Sequence, residues 1–234
     1  MRVSVLQFPG SNCDHDCVHA FGAILGCDTR LVWHGAAELP DDTGLVIVPG
    51  GFSYGDYLRC GAIAAHAPIM AATRRFADAG GAIVGICNGF QILTEARLLP
   101  GALLRNENLA FVCKNVTLRV DSPRSPLTAR LPLGSTWTLP VAHMEGNFTA
   151  SAETLDALEA NGQVVLRYVD AEGATTPAAN PNGAARHIAG VSNAAGNVIG
   201  LMPHPERAME ALLGGTGGRT MLEGLVRWVS DIGI

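Results

Sequence analysis

Charged and aromatic residues are both scarce in this 234-residue chain, at 16% and 6%, whereas hydrophobic residues make up 48%. A disordered protein needs the opposite balance, so the composition predicts a sizeable folded core. The net charge of -5 includes no block of like charges. Because a protein that binds a phosphate backbone normally presents a basic face, we do not expect nucleic-acid binding.

Long hydrophobic runs and regularly spaced cysteines are also missing. No run approaches the ~18 apolar residues of a membrane span. The first ten residues contain neither a long apolar segment nor a small-residue cleavage site, which is not the pattern of a signal peptide. The six cysteines are scattered along the chain, so we expect free thiols in a reducing compartment. Together these features predict a cytoplasmic protein.

The chain does contain an alternation of apolar strand patterns and amphipathic helix patterns. Strand patterns occupy residues 3–7, 29–33, 45–48, 82–86, 109–113, 116–120, 164–169, 188–191 and 198–202. Helical patterns occupy residues 17–25, 57–65, 68–79, 90–96 and a C-terminal stretch around 222–229. With no internal repeat and no low-complexity linker, this alternation predicts one α/β domain over residues 1–234.

A short stretch joins a buried strand to a helix through Gly85-x-Cys87-x-Gly89. This is the spacing of a nucleophile elbow, with cysteine in place of serine. The sharp turn strains the backbone of the nucleophile, and side chains two residues to either side would collide, so glycine is required there. The sulfur then lies at a helix N-terminus, which favours the thiolate. A buried structural cysteine is the alternative interpretation.

Two further loops follow strands at the expected carboxyl edge of the sheet. Gly50 and Gly51 come directly after residues 45–48, where open α/β sheets bind ligands, although a simple turn would also use them. His204 lies between two prolines that favour an extended backbone, which puts it on the same side as Glu206. A thiolate needs a base that exchanges a proton, and the base needs an orienting carboxylate. Cys87, His204 and Glu206 meet these requirements.

Other groups of reactive residues have less support from their spacing. Cys13-x-His15-x-Cys17-x-His19 contains metal-ligand residue types, but on a helix the cysteines and the histidines lie on opposite faces, so no metal site is expected. The polar stretch 141–148 predicts a loop that faces the site, in which His143 and Glu145 either line a pocket or serve the structure. Residues 41–42 are an acidic pair that predicts a solvated turn.

Three stretches together resemble the class I (triad-type) glutamine amidotransferases: residues 49–51, residues 85–91 and residues 203–206. Longer strings, residues 9–14 and 50–61, are similar to one subfamily, the small glutaminase subunits of phosphoribosylformylglycinamidine synthase. The resemblance extends from residue 1 to about residue 228. It departs at Met144, where the subfamily has glycine. It implies a flavodoxin-like open sheet, mixed or parallel, with helices on both faces.

The resemblance also implies a role for each site residue. Cys87 would be the nucleophile, His204 the base and Glu206 its orienter, and the backbone N–H groups of Gly51 and Asn88 would form the oxyanion hole. The residues implied to contact the glutamine substrate are Gly50, Phe52 and Gln91.

The resemblance implies partners as well. Ammonia released from L-glutamine would pass to a large synthetase subunit, with a small subunit bridging the two. ATP and Mg²⁺ would belong to the large subunit, and this chain would hold no cofactor and no metal. Two alternatives remain open: a stand-alone cysteine amidase of the same superfamily, and a non-catalytic scaffold subunit.

Overall fold

A nine-stranded sheet carries most of the core in the computed structural model, which describes residues 1–232. Its strands are β1 (Arg2–Gln7), β2 (Asp28–Trp33), β3 (Thr43–Val48), β4 (Ala82–Ile86), β6 (Val112–Val120), β7 (Thr136–His143), β9 (Val164–Val169), β10 (Ile188–Ser192) and β11 (Val198–Leu201). A separate pair consists of β5 (Ala102–Leu104) and β8 (Asn147–Thr149). The helices are α1 (Asp14–Val18), α2 (Ile69–Asp78), α3 (Asn88–Glu95), α4 (Ala152–Ala160) and α5 (Gly217–Ile232).

The strand order of the large sheet is β2-β1-β3-β4-β11-β10-β9-β6-β7. The first five strands in this order pair in parallel, and the pairs from β11 to β7 are antiparallel. Every residue of β3 and β4 is buried, as expected of parallel strands covered on both faces by helices. The predicted mixed, open α/β sheet is confirmed.

The register of the central strands brings the predicted site together. Val48 at the end of β3 pairs with Gly85 of β4, and Leu201 at the end of β11 pairs with Ile86. The loops that follow β3, β4 and β11 therefore leave the same edge of the sheet side by side. The predicted shared edge for residues 49–52 and Cys87 is confirmed, and the loop after β11 joins them.

The sequence patterns were wrong for some segments. Residues 57–65 are not a helix: Leu58 and Gly61 have φ of 70° and 80°, and only a short 3₁₀ turn, Ala64–His66, follows. Gly61 lies against α3, where a Cβ would come within 2.7 Å of the Ile92 amide nitrogen. The strand expected at 109–113 begins only at Val112, because Leu109 has a φ of 55°.

In three other segments the secondary structure differs from the sequence prediction. The first predicted helix is α1 followed by a π-helical stretch, His19–Ile24. The stretch 141–148, predicted as a loop, consists of the end of β7, a turn at residues 144–146 and the start of β8. Helix α4 was not predicted, although Ser151 caps it by accepting a hydrogen bond from the Thr154 amide. None of the helices within residues 1–232 is both long and apolar enough to cross a membrane.

Candidate active site

Cys87 occupies the turn between β4 and α3 with a strained backbone, at φ 51° and ψ −106°. A Cβ on Gly89 would overlap the Val48 carbonyl oxygen, and one on Gly85 would lie 2.7 Å from the Gly89 carbonyl oxygen. The two glycines therefore let α3 begin directly against β3 and β4. This is the elbow geometry that the spacing of Gly85, Cys87 and Gly89 predicts.

His204 and Glu206 form a buried pair beside this elbow. The Nδ1 of His204 lies 2.6 Å from Glu206 Oε1, and the two residues are 1% and 3% exposed. The His204 backbone N–H donates to the Pro140 carbonyl, which anchors the segment on β7. Within residues 1–232, His204 Nε2 has no hydrogen-bond partner. Because Nδ1 faces the carboxylate, Nε2 is the nitrogen that remains for proton exchange.

The charges around His204 favour its protonated form. Burial by itself lowers the pKa of His204, but the negative charges of Glu206 and Cys87 outweigh it and raise the pKa well above its usual value. A protonated His204 beside Cys87 can supply a proton to a leaving group, as the base of a cysteine nucleophile must. The structure thus brings the three sequence-predicted triad residues into one site.

Gly50 lies directly against the triad. A Cβ at this position would come within 2.9 Å of His204 Cε1 and within 3.4 Å of Cys87 Cβ. Any side chain there would separate the base from the nucleophile. Gly50 therefore keeps the space between them open, and its implied contact with glutamine stays a prediction.

Two backbone N–H groups point to a possible oxyanion hole. Gly51 has a φ of 137°, a backbone conformation that favours glycine, and it forms an isolated antiparallel β-bridge with Ser11. Its N–H has no acceptor within the described residues 1–232. The N–H of Asn88 belongs to the first turn of α3, where amides have no acceptor within the helix. The Asn88 side chain holds the loop after β3 by accepting a hydrogen bond from the Ser53 amide at 3.1 Å. The oxyanion-hole assignment of Gly51 and Asn88 remains a prediction.

A cavity of about 110 Å³ opens over the cysteine. Its lining residues are Asn12, Cys13, Gly51, Phe52, Cys87, Phe111, Ala142, His204 and Arg207. Phe52 lines this cavity, and its implied contact with the substrate remains a prediction. Gln91 is not among these residues: its Nε2 donates to the Glu145 carbonyl at 2.6 Å and its Oε1 accepts from Asn88 Nδ2 at 2.8 Å. In this structure Gln91 holds the wall of the site, and its substrate contact remains a prediction.

The cavity wall formed by residues 142–146 is held by a residue that the sequence patterns did not single out. Asn106 is fully buried, and its Nδ2 donates to the carbonyls of Ala110 and His143, each at 2.9 Å. Its Oδ1 accepts from the Gly146 amide at 2.9 Å and lies 3.1 Å from His143 Nδ1. No spacing in the sequence signals this role, because its partners lie up to 40 residues away.

His143 serves the structure rather than the cavity. If its Nδ1 donates to Asn106 Oδ1, its Nε2 accepts from Asn182 Nδ2 at 3.4 Å. If Nε2 of His143 were also protonated, its N–H would face the Asn182 N–H group, and the two donors could not form a hydrogen bond. Burial, with the nearby charge of His204, lowers the pKa of His143 to about 4. Glu145 contributes its backbone carbonyl to the wall through Gln91.

The sequence run from Cys13 to His19 behaves as its spacing predicts. Cys13 and Cys17 are buried, His15 is exposed, and His19 Nε2 lies 3.0 Å from a carboxylate oxygen of Glu210. These four side chains do not converge on one point, and all six cysteines are free. Cys13, however, reaches the cavity.

Arg207 and Cys13 were both missed as parts of the site. Arg207 Nη2 donates to Cys13 Sγ at 3.0 Å, and its Nε donates to Asp16 at 3.2 Å. Only the fold brings Cys13 and Arg207 together, since they are 194 residues apart.

The acidic pair at residues 41–42 is exposed, in agreement with the predicted solvated turn.

Known proteins are similar to this chain in sequence and in overall fold. Residues 1–216 match a family model described as a CobB/CobQ-like glutamine amidotransferase domain. A protein of Salinibacter ruber named phosphoribosylformylglycinamidine synthase subunit PurQ is 55% identical over 231 residues, covering 99% of this chain and 98% of that protein. A protein of the same name from Thermomicrobium roseum is 57% identical over 222 residues, covering 95% and 94%. A chain in the solved structure of PurLQS from Thermotoga maritima superposes with a TM-score of 0.86 at 42% identity, covering 97% of this chain and 98% of that one.

Proposed function

Because the chain belongs to the CobB/CobQ-like glutamine amidotransferase family, we propose that it is the glutaminase subunit of phosphoribosylformylglycinamidine synthase. The observation that carries this assignment is the identity of 55% over almost the whole chain to a protein of that name. The elbow cysteine and the His204–Glu206 pair support it by supplying the groups that amide hydrolysis needs.

The reaction begins with attack of the Cys87 thiolate on the side-chain amide carbon of L-glutamine. The carbonyl oxygen becomes an oxyanion, to which we assign the N–H groups of Gly51 and Asn88 as donors. Each such donor is commonly worth ~3 kcal/mol of barrier. Phe52 lies over the cavity and bounds the space for the substrate.

His204 moves the protons of the reaction. Its imidazolium gives the Nε2 proton to the departing nitrogen, so ammonia leaves and a thioester to Cys87 remains. The neutral imidazole then takes a proton from water, whose oxygen attacks the thioester and releases glutamate and the thiolate. Glu206 keeps the ring oriented and stabilises its positive charge through the 2.6 Å contact with Nδ1.

The ammonia is the product that matters for the complete enzyme. The large synthetase subunit (PurL) uses it with ATP to convert formylglycinamide ribonucleotide to formylglycinamidine ribonucleotide in purine biosynthesis. A small subunit (PurS) bridges the two, and all three work in the cytoplasm. ATP and Mg²⁺ act on the large subunit, since the chemistry at Cys87 requires neither.

The surface around the cavity mouth supports docking of the synthetase subunit. Phe52 and Phe111 line the cavity and are about half exposed. Tyr57 and Leu58 follow Phe52, and Leu109 precedes Phe111; all three are largely exposed, and Leu58 is 94% exposed. Exposed apolar groups clustered at a site mark an interaction surface. A partner bound here covers the cavity from which ammonia leaves.

The test uses the assembled enzyme with either glutamine or ammonia as nitrogen donor. Cys87→Ala should abolish synthesis from glutamine and leave synthesis from ammonia intact, because only the first needs the thiolate. Cys27→Ala is the matched control, since Cys27 precedes β2 at the opposite edge of the sheet, and both donors should support it fully.

Three outcomes would contradict the assignment. Turnover of glutamine by Cys87→Ala would exclude Cys87 as the nucleophile. Rapid glutamine hydrolysis by the isolated chain, unchanged by the synthetase subunits, ATP and formylglycinamide ribonucleotide, would instead indicate a stand-alone cysteine amidase. A chain without glutaminase activity in either setting would be a scaffold subunit.

A further inference from the structure

One buried side chain of the site has no role in the triad. Cys13 is 2% exposed and lines the same cavity as His204, although nucleophile, base and orienter are already provided. Its Sγ accepts a hydrogen bond from Arg207 Nη2 at 3.0 Å and donates to Asn12 Oδ1 at 3.5 Å. The same sulfur, a ring nitrogen of His204 and a carboxylate oxygen of Glu206 lie within 4.8 Å of one another. Cys13 therefore lies beside the base and its orienter and holds a guanidinium at the same time.

The Glu206 carboxylate is paired through one oxygen. Oε1 lies 2.6 Å from His204 Nδ1, whereas Oε2 is buried and has no hydrogen-bond partner among the described residues. Burial by itself lowers the pKa of Arg207, but nearby negative charges, Glu206 among them, outweigh it and raise the pKa. Arginine and carboxylate groups frequently form bidentate pairs. Yet no ion pair joins Arg207 to Glu206 in the part of the chain that the structure describes.

Hydrogen bonds direct the guanidinium away from Glu206. Arg207 Nε donates to Asp16 of α1 at 3.2 Å, and Nη2 donates to Cys13 Sγ. Cys13 is itself fixed, because its N–H donates to the Gly50 carbonyl at 3.3 Å and its carbonyl accepts from the Cys17 amide at 3.0 Å. The Arg207 side chain is about one-third exposed, so these two acceptors rather than dense packing hold it in this direction.

From this arrangement we propose that Cys13 is a positioning residue of the triad, whose sulfur keeps the Arg207 guanidinium away from the Glu206 carboxylate. The carboxylate then remains bound to His204. The inference rests on the proposed glutaminase reaction, in which His204 gives a proton to the departing nitrogen. If the guanidinium moved onto Glu206, His204 would lose the negative charge that stabilises its imidazolium and would gain a positive charge nearby. Both changes lower the pKa of His204.

Titratable and charged groups face the His204–Glu206 pair from the elements packed against it. These are Cys87 on the elbow, Cys13, Asp16 and Cys17 around α1, His143 on β7 and Arg207 beside the pair, whereas Arg219 and Glu223 of α5 bind each other at the surface. Burial raises the pKa of the Cys17 thiol well above its usual value, and burial with the charge of His204 lowers the pKa of His143 to about 4, so both are neutral at pH 7. Among the facing groups Arg207 is thus the permanent cation, and its position decides how strongly Glu206 stabilises the imidazolium.

The protonation of His204 is measured directly by ¹⁵N NMR titration of its ring in the isolated chain, without an activity assay. A Cys87→Ala background removes the thiolate, because two coupled groups would otherwise titrate together. Adding Cys13→Ala should lower the His204 titration midpoint by about one pH unit or more, since a nearby opposite charge shifts a pKa by about 1–3 units. Cys13→Ser retains an acceptor for the guanidinium and should keep most of the original midpoint. Cys27→Ala is the matched control and should leave the midpoint unchanged.

A double-mutant cycle separates this role from simple packing. Once Arg207→Met has removed the guanidinium, Cys13→Ala should cause no further decrease in the His204 midpoint, because nothing then competes for Glu206. A cavity left by the missing sulfur would act in the same way whether or not the guanidinium is present. Equal decreases in the two backgrounds, or no decrease in Cys13→Ala, would overturn the proposal.

The same variants in the assembled enzyme connect the titration to the reaction. The high-pH limb of the glutamine-dependent kcat/KM profile reports loss of the His204 proton, so Cys13→Ala should move this limb to lower pH by a similar amount. Ammonia-dependent synthesis should not change. An unmoved limb in an otherwise active enzyme would refute the role of Cys13. A wild-type enzyme without glutaminase activity would instead refute the proposed function, and the NMR titration would then decide the role of Cys13 by itself.

Discussion

Replacing Asn106 by alanine should destabilise the protein and damage the active site at the same time. The amide of Asn106 makes four contacts with the segment that forms one wall of the cavity. Truncation leaves the Gly146 N–H and the His143 Nδ1–H buried without acceptors. It also removes a donor from two carbonyl groups.

The magnitude follows from the stranded groups. A buried donor or acceptor without a partner costs about 1–3 kcal/mol, so two donors alone give about 4 kcal/mol. For a chain of this size the dependence on urea is about 2.5 kcal/mol per molar, which converts this loss to a decrease of about 1.5 M in the unfolding midpoint. Such a loss is a large fraction of a typical domain stability of about 5–15 kcal/mol.

The effect on activity has a separate cause. The same wall carries the Ala142 carbonyl, which lies 3.7 Å from Cys87 Sγ, and the Glu145 carbonyl bound by Gln91. When Asn106 no longer holds the wall, these groups lose their fixed positions. We therefore expect a lower glutamine-dependent rate in the assembled enzyme and an unchanged ammonia-dependent rate.

The assay pairs urea unfolding with both activities, and Asn108→Ala is the matched control. Asn108 lies in the same loop, but its side chain is exposed and accepts one hydrogen bond, from the Ala110 amide. A midpoint for Asn106→Ala within about 0.4 M of the control, equivalent to about 1 kcal/mol, would refute the reasoning. So would full glutamine-dependent activity.

Three further predictions concern charge and surface. Glu206→Gln should lower the glutaminase rate of the assembled enzyme by about 10²-fold, because the imidazolium loses its carboxylate; an unchanged rate would remove Glu206 from the mechanism. The pKa of His143 is lowered to about 4 in the folded protein, so between about pH 6.5 and pH 4 the unfolded chain binds a proton at this histidine and the folded chain does not. The free energy of unfolding therefore decreases as the pH falls through this window. Between pH 7 and pH 5 this loss of stability is about 2 kcal/mol, and urea unfolding of His143→Gln should not show it. An equal dependence of stability on pH in the wild type and His143→Gln would contradict the lowered pKa of His143. Leu58→Asp should weaken binding to the synthetase subunit in a pull-down or calorimetric titration. Leu133→Asp is the control, because Leu133 is exposed in the turn before β7, and it should bind like the wild type. Equal affinities of the two variants would place the docking surface elsewhere.

The parts of the site that were predictable from the sequence depend on contacts between near neighbours. A Cβ on Gly85 would meet atoms of the same strand-turn-helix unit, so the spacing around Cys87 was enough to predict the elbow, whereas the contact that excludes a side chain at Gly89 is with Val48 of the neighbouring strand β3. His204 and Glu206 are two residues apart, and the prolines fix the backbone between them. The continuous apolar run of β3 predicted a buried parallel strand for the same local reason.

The rest depended on the tertiary structure, because it consists of contacts between residues far apart in the chain. Asn106 receives its function from β7 and the turn after it, and Cys13 from Arg207 at the other end of the protein. Residues 57–65 are irregular because Gly61 packs against the backbone of α3, which outweighs a helical pattern. Periodicity reports which face of an element is buried, but not which polar groups the fold places opposite one another. Sequence alone therefore predicted the fold class and the three residues of the candidate triad, whereas only the tertiary structure decided how the walls of the cavity are held.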